Sequence, residues 1–242
     1  MSSQKNEFLK IIQDQRKGKK KQKFSGNFLE YLDLVKEDPS IAKTSHQRLY
    51  RKITSHGVGE IDPSDPRFQS VFSGEKVRTY EYFEDEFFGM ERVISKVMRF
   101  LSSAAHRGEE SRQVLLLLGP VGAGKSALTE HIKKSLEGEP FYHLEGDPQK
   151  GEPLQLVPRN LREKFEDLLD VKIDGDISPV ARFKLLEELK GKYEEFKVVE
   201  STFSQRARRG IAVVPPMDPN SQDTSVLIGS EDISKLDLYP ED

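Results

Sequence analysis

Residues 115–126 read Leu-Leu-Leu-Leu-Gly-Pro-Val-Gly-Ala-Gly-Lys-Ser, an apolar run that flows into Gly119-x-x-x-x-Gly124-Lys125-Ser126. This is the Walker A pattern, a loop that cradles phosphate. Its spacing has a physical reason. A triphosphate is a dense anion, and backbone N–H groups surround it only where the chain curls tightly, which glycine permits. Gly119, Gly122 and Gly124 supply that freedom. A helix that starts at the end of the loop points its free N–H groups and positive dipole end at the phosphates. Lys125 then reaches the β- and γ-phosphates, and the Ser126 hydroxyl ligates Mg²⁺.

The flanks supply the context that the pattern requires. Val114–Leu118 is continuously apolar, as expected of a strand buried on both faces in a parallel sheet. Leu128, Ile132 and Leu136 recur at helical spacing, and Gly138 and Pro140 stop the helix. Strand, loop and helix make ATP with Mg²⁺ the expected ligand. The expected contacts are Gly119, Pro120, Val121, Gly122, Ala123, Gly124, Lys125, Ser126 and Ala127, with Ser126 also on the metal. An ordinary glycine-rich turn is the alternative that this context makes remote.

Composition narrows the class. The 242 residues carry 38 Lys and Arg against 41 Asp and Glu, a net charge of −3, so no general attraction to nucleic acid or anionic membrane follows. There is no cysteine, which excludes disulfides, thiolate zinc sites and a cysteine nucleophile. No apolar stretch approaches spanning length, and Met1-Ser2-Ser3-Gln4-Lys5 opens no signal-peptide apolar region. A cytoplasmic protein without a membrane partner is expected.

Along the chain, residues 1–23 form a polar arm ending in Arg16, Lys17, Lys19, Lys20, Lys21 and Lys23. No aromatic interleaves these cations, so a solvated segment is a plainer reading than a nucleic-acid arm. Residues 24–60 read as a helical extension. Asn27 with Glu30 makes a cap, Phe28, Tyr31, Leu32 and Val35 make one apolar stripe, and Pro39 suits the first turn of a second helix. Residues 61–83, with Asp62-Pro63-Ser64-Asp65-Pro66, read as a linker. Residues 84–242 read as part of an ATP-binding domain. Ile94, Val97, Met98 and Leu101 mark its first helix. Just before that helix, Phe87, Phe88 and Gly89 either sandwich a purine ring or make a plain helix-start turn with core aromatics. Further on, 140–144, 195–203 and 210–214 read as strands, and Ser178-Pro179 as a helix start.

Hydrolysis or transfer needs an acidic strand for Mg²⁺. The candidate, Ile211 to Asp218, is interrupted by Pro215 and Pro216, which argues that Asp218 is a turn residue. Arg206, Arg208 and Arg209 suit an arginine finger or, more plainly, a solvated hairpin. The Asn-Lys-x-Asp guanine signature and the His-Arg-Asp and Asp-Phe-Gly kinase signatures are absent, and no catalytic residue is assigned.

Taken together, several segments resemble one family. They are Phe28-Leu29-Glu30-Tyr31-Leu32, Asp38-Pro39 with Ala42, His46-Gln47-Arg48, Phe87-Phe88-Gly89-Met90-Glu91 and the loop at 119–126. Downstream come Asp147-Pro148, Glu152-Pro153-Leu154-Gln155-Leu156-Val157-Pro158, Ser221-Gln222-Asp223 and Gly229-Ser230. From about residue 24 the chain is similar to the N-terminal part of the PrkA family of bacterial serine protein kinases. The resemblance implies an α/β P-loop core of the AAA type, a parallel sheet flanked by helices, incomplete at its C-terminus. It places ATP on the loop and Phe88 and Gly89 near adenine, and it implies a protein substrate and assembly into a homo-oligomeric ring. Family members are much longer, so the acidic magnesium strand and the kinase-like region are expected beyond Asp242. An alternative follows, a non-catalytic ATP-binding assembly module.

Overall fold

The computed structural model describes residues 23–214. The basic run before Lys23, Asp218, and the Ser221–Asp223 and Gly229–Ser230 segments lie outside the described residues. The chain opens with β1 (Ser25–Asn27) and α1 (Phe28–Glu37). Asn27 accepts the Glu30 amide at 2.9 Å, and the Glu30 carboxylate accepts the Asn27 amide at 2.8 Å. This is the reciprocal cap that the spacing predicts. Phe28, Tyr31 and Val35 are fully buried, and Leu32 packs beside them.

Pro39 opens a short 3-10 turn, Pro39–Ala42, rather than a second α-helix. The second α-helix, α2 (Ser45–Thr54), starts after Thr44, whose hydroxyl accepts the Gln47 amide while the Gln47 side chain accepts the Thr44 amide. Next come β2 (Val58–Glu60), α3 (Pro66–Ser70), β3 (Arg78–Tyr80), α4 (Glu81–Glu84) and α5 (Glu91–Ala105). Further along the chain lie α6 (Lys125–Lys134), β4 (Pro140–Leu144), α7 (Arg162–Leu169), α8 (Pro179–Phe183) and β5 (Lys197–Thr202).

The chain divides into two compact units. One joins the chain up to Ala42 with Pro140–Thr202. Its sheet has the order β1-β5-β4, with Ser25 opposite Val199 and His143 also opposite Val199 from the other side. Phe28, Tyr31, Leu144, Phe196 and Val198 fill the core. Within the sheet, His143 is buried. Its Nδ1 lies 2.9 Å from the Leu144 carbonyl and its Nε2 2.9 Å from the Ser201 hydroxyl. Ser178 caps α8 and donates to Asp147, which also accepts the Gly151 amide.

The other unit joins Lys43–Glu139 with Phe203–Val213. Its core gathers Ile53, Phe83, Phe87, Val97, Met98, Leu101 and Leu128. β2 and β3 pair antiparallel, and Ile61, Phe68, Phe72 and Val77 of their connection form a small apolar cluster.

Both sheets are antiparallel, and Val114–Leu118 belongs to neither. The expectation of a parallel sheet is thereby corrected to a mixed helix-and-sheet fold with small antiparallel sheets. Val114, Leu116 and Leu118 are 90, 71 and 84% exposed, whereas Leu117 packs on the aromatic core. The reason is one of partners. A strand buried on both faces needs a hydrogen-bonding neighbour on each edge and helices over each face, and among the described residues no segment supplies them. Likewise, 211–214 forms no strand, and the Ser204–Arg209 bridge closes the turn that carries Arg206 and Arg208. Among the described residues no helix is long and apolar enough to cross a membrane.

Candidate phosphate-binding site

The loop passes directly into a helix, while the segment before it forms no strand. Gly122 and Gly124 adopt left-handed φ values of 82° and 75°, where a side chain would be strained. Gly119 is not among the glycines with positive φ, so the curl is made by the second and third loop glycines. Gly124 is the N-cap of α6, and Leu128 N–H donates back to its carbonyl at 2.9 Å. The amides of the first helical turn therefore remain free of intrahelical partners, as at any helix start. Gly119 to Val121 and Ser126 and Ala127 are exposed, and a side chain at Gly122 would meet open space. The loop is open to a ligand.

Lys125 is the first residue of α6 and folds back over the loop. Its ammonium donates to the Gly119 carbonyl at 2.8 Å and to the Pro120 carbonyl at 2.6 Å. It is thus held within the loop by neutral acceptors that an anionic oxygen outcompetes, because charge-assisted bonds are roughly twice as strong.

Helix α6 is anchored at its other end. Tyr82 donates its hydroxyl to the His131 carbonyl at 2.8 Å, and His131 Nε2 lies 2.8 Å from the Tyr82 carbonyl. The His131 ring sits among Tyr82, Phe83 and Phe87, with Glu86 2.9 Å from its Nδ1. Leu128 pins the middle of the helix into the same core.

Next to the Phe88–Gly89 segment, Met90 lies against the loop. Gly89 takes φ 74°, and the Met90 sulfur stands 3.3 Å from where a Gly124 Cβ would be. The two aromatics part company. Phe87 is buried at 7% exposure among the core rings, while Phe88 is 83% exposed. Phe88 lies on the rim of a cavity of about 290 Å³, whose lining includes Ile61, Arg67, Tyr80, Phe83 and Glu91. Arg67 donates to Glu91 Oε1 at 2.7 Å and pairs with Asp65. Its hydrogen bonds raise its pKa and hold the Asp65 carboxyl below the usual range. Glu91 Oε2 is buried and has no hydrogen-bond partner. Sequence reasoning did not reach this cavity. Arg67 and Glu91 lie 24 positions apart, and no local spacing rule joins them. Among the described residues no cluster of three or more His, Asp or Glu side chains fits a metal ion, and the metal contact expected from the loop pattern, Ser126, is exposed.

Comparison with known proteins identifies the family. The family model described as the PrkA AAA domain matches residues 26–242. A Bacillus subtilis protein named ATP-dependent protease PrkA is 35% identical over 240 residues, covering 96% of this chain and 36% of its own length. An Escherichia coli protein named serine/threonine kinase YeaG is 34% identical over 218 residues, covering 87% of this chain and 33% of its own. A Geobacillus stearothermophilus protein, named only as uncharacterised, is 29% identical over 109 residues and is covered over 99% of its length. The chain spans about a third of the length of the first two relatives. No solved structure gives a significant match.

Proposed function

Because the chain belongs to the PrkA AAA domain family, we propose that it is the ATP-binding portion of a PrkA-like serine protein kinase, gripping Mg-ATP through Gly119–Ser126. One observation carries this reading. The loop turns through left-handed Gly122 and Gly124 and hands the chain to a helix at Lys125, with the loop open to solvent. On binding, Lys125 exchanges the Gly119 and Pro120 carbonyls for phosphate oxygens. The free amides of the first turn of α6 add neutral donors. Ser126 and the phosphates would hold Mg²⁺, whose chemistry is to neutralise the charge that develops on the transferred group. Phe88 and Gly89 would meet the base, a reading supported by the 290 Å³ cavity that Phe88 lines together with Tyr80, Phe83 and Phe87. Phosphoryl transfer to a protein serine, in a cytoplasmic setting where ATP is at hand, is the reaction of the whole protein.

The test is a thermal melt with Mg-ATP. A ligand at a hundred times its Kd stabilises by about 2.7 kcal/mol, which moves the midpoint of a chain this size by several degrees. Lys125→Ala abolishes the shift. An unchanged wild-type midpoint at millimolar Mg-ATP rejects the reading.

A second reading, an assembly module that holds ATP without using it, is favoured by the exposed run Val114–Leu118. Phosphate release and sizing with and without ATP separate the two. An ATP-dependent change of size without turnover supports assembly, and turnover rejects it.

A further inference from the structure

Strand β3 and helix α5 line a second cavity, of about 460 Å³, to which no residue of the phosphate loop contributes. Its floor is apolar, made by Met98 and the Tyr80 ring, both buried. Ser95, Arg99, Ser102 and His106 recur three or four apart along α5 and its cap, so they share one face above that floor. Lys76 and Arg78 come in from the hairpin side. Three side-chain cations, Lys76, Arg78 and Arg99, therefore line one recess. Among the described residues no ion pair engages any of them.

The only carboxylate on the lining is Glu60, opposite Arg78 in the strand pair, which leaves a surplus of two positive charges. Burial pushes the Tyr80 phenol up, and the Arg78 and Arg99 charges act against that rise, so both guanidiniums bear on the same hydroxyl. Like charges gathered in a recess repel, and walls of low dielectric concentrate their field. In the neighbouring cavity, by contrast, Arg67 is matched by Asp65 and Glu91.

We propose that this cavity binds a phosphate monoester. Such a group carries about −1.5 to −2 charges at neutral pH, which the surplus of two balances. Guanidinium forks grip phosphate oxygens in pairs, Lys76 adds a point charge, and the Ser95 and Ser102 hydroxyls are donors on the same face. The Tyr80 and Met98 floor receives the carbon side of the ester. The site is independent of the nucleotide reading.

The experiment is calorimetric titration of the full chain carrying Lys125→Ala, which silences the phosphate loop. The probes are O-phospho-L-serine, a short peptide containing phosphoserine, and sodium sulfate. Submillimolar binding of phosphoserine, weakened by salt, is expected. Arg99→Ala, at an exposed position that lines this cavity and not the one beside Phe88, weakens it at least tenfold. Glu60→Gln, which removes the opposing charge, strengthens it severalfold and keeps the test sound should Arg99→Ala fold poorly. A peptide that binds more tightly than the free amino acid identifies a phosphorylated side chain as the source, and equal affinities identify a small free monoester. No binding at several millimolar, sulfate binding as tightly as phosphoserine, or affinities unmoved by both substitutions overturns the proposal.

Discussion

Lys125 and His143 show how single side chains are set by what surrounds them. Lys125 is tethered to its own loop through the Gly119 and Pro120 carbonyls, so its head is positioned before any phosphate arrives. Less conformational freedom is then lost on binding. Lys125→Gln, which keeps length but not charge, is expected to retain the fold and to lose most of the Mg-ATP midpoint shift, as the melting experiment reads directly. His143 faces the opposite constraint. Buried between the Leu144 carbonyl and Ser201, it is held below its ordinary value of 6.5, because burial disfavours the charged ring. The unfolded chain therefore takes up the proton first as pH falls. The contribution of neutral His143 is complete above about pH 6.5 and is lost as the pH drops from there through the depressed native value. Urea midpoints at pH 8 and pH 5 should fall further apart in the wild type than in His143→Gln. Equal differences would remove this account.

Among the elements, α1 and α6 are held in contrasting ways. α1 is fixed locally, by the Asn27–Glu30 cap, and then by Phe28, Tyr31 and Val35 in the core. Asn27→Ala removes the side-chain half of the cap and is expected to cost about 1 kcal/mol, read as a lower urea midpoint with an unchanged slope. α6 is fixed across the unit, by the bond from Tyr82 to the His131 carbonyl. Tyr82→Phe is expected to cost about 1 kcal/mol as well, and it loosens the far end of the helix that carries Lys125. This contrast explains what the sequence discloses. Caps at Asn27 and Ser178, the apolar faces of α1 and α5, and the loop at 119–126 are set within four to eight residues, and spacing rules reach them. The pairing of β4 with β5, the Tyr82–His131 bond and the Arg67–Glu91 contact join positions tens of residues apart. Periodicity says that a segment is apolar, and it is silent on which neighbour covers it.

The whole molecule turns on that same silence at Val114–Leu118. Four leucines and a valine read as buried, yet Val114, Leu116 and Leu118 face solvent, while Leu117 alone among the five packs on the aromatic core. Such a run beside the phosphate loop is an apolar strip whose backbone pairs with no strand among the described residues, the kind of edge through which chains associate. Leu116→Lys tests this. At an exposed position the substitution should leave stability within about 0.5 kcal/mol of the wild type. The charge should lower the fluorescence of a dye that reports apolar surface, and it should reduce concentration-dependent growth of the sedimentation coefficient. Lys125 and its loop partners are untouched, so the Mg-ATP midpoint shift should persist. A loss of about 2 kcal/mol or more in stability would instead mean that Leu116 is covered in the native protein, because only a buried leucine carries a cost of that size when it is made polar. In that event the strip belongs to a packed interior, and the association expected of it disappears.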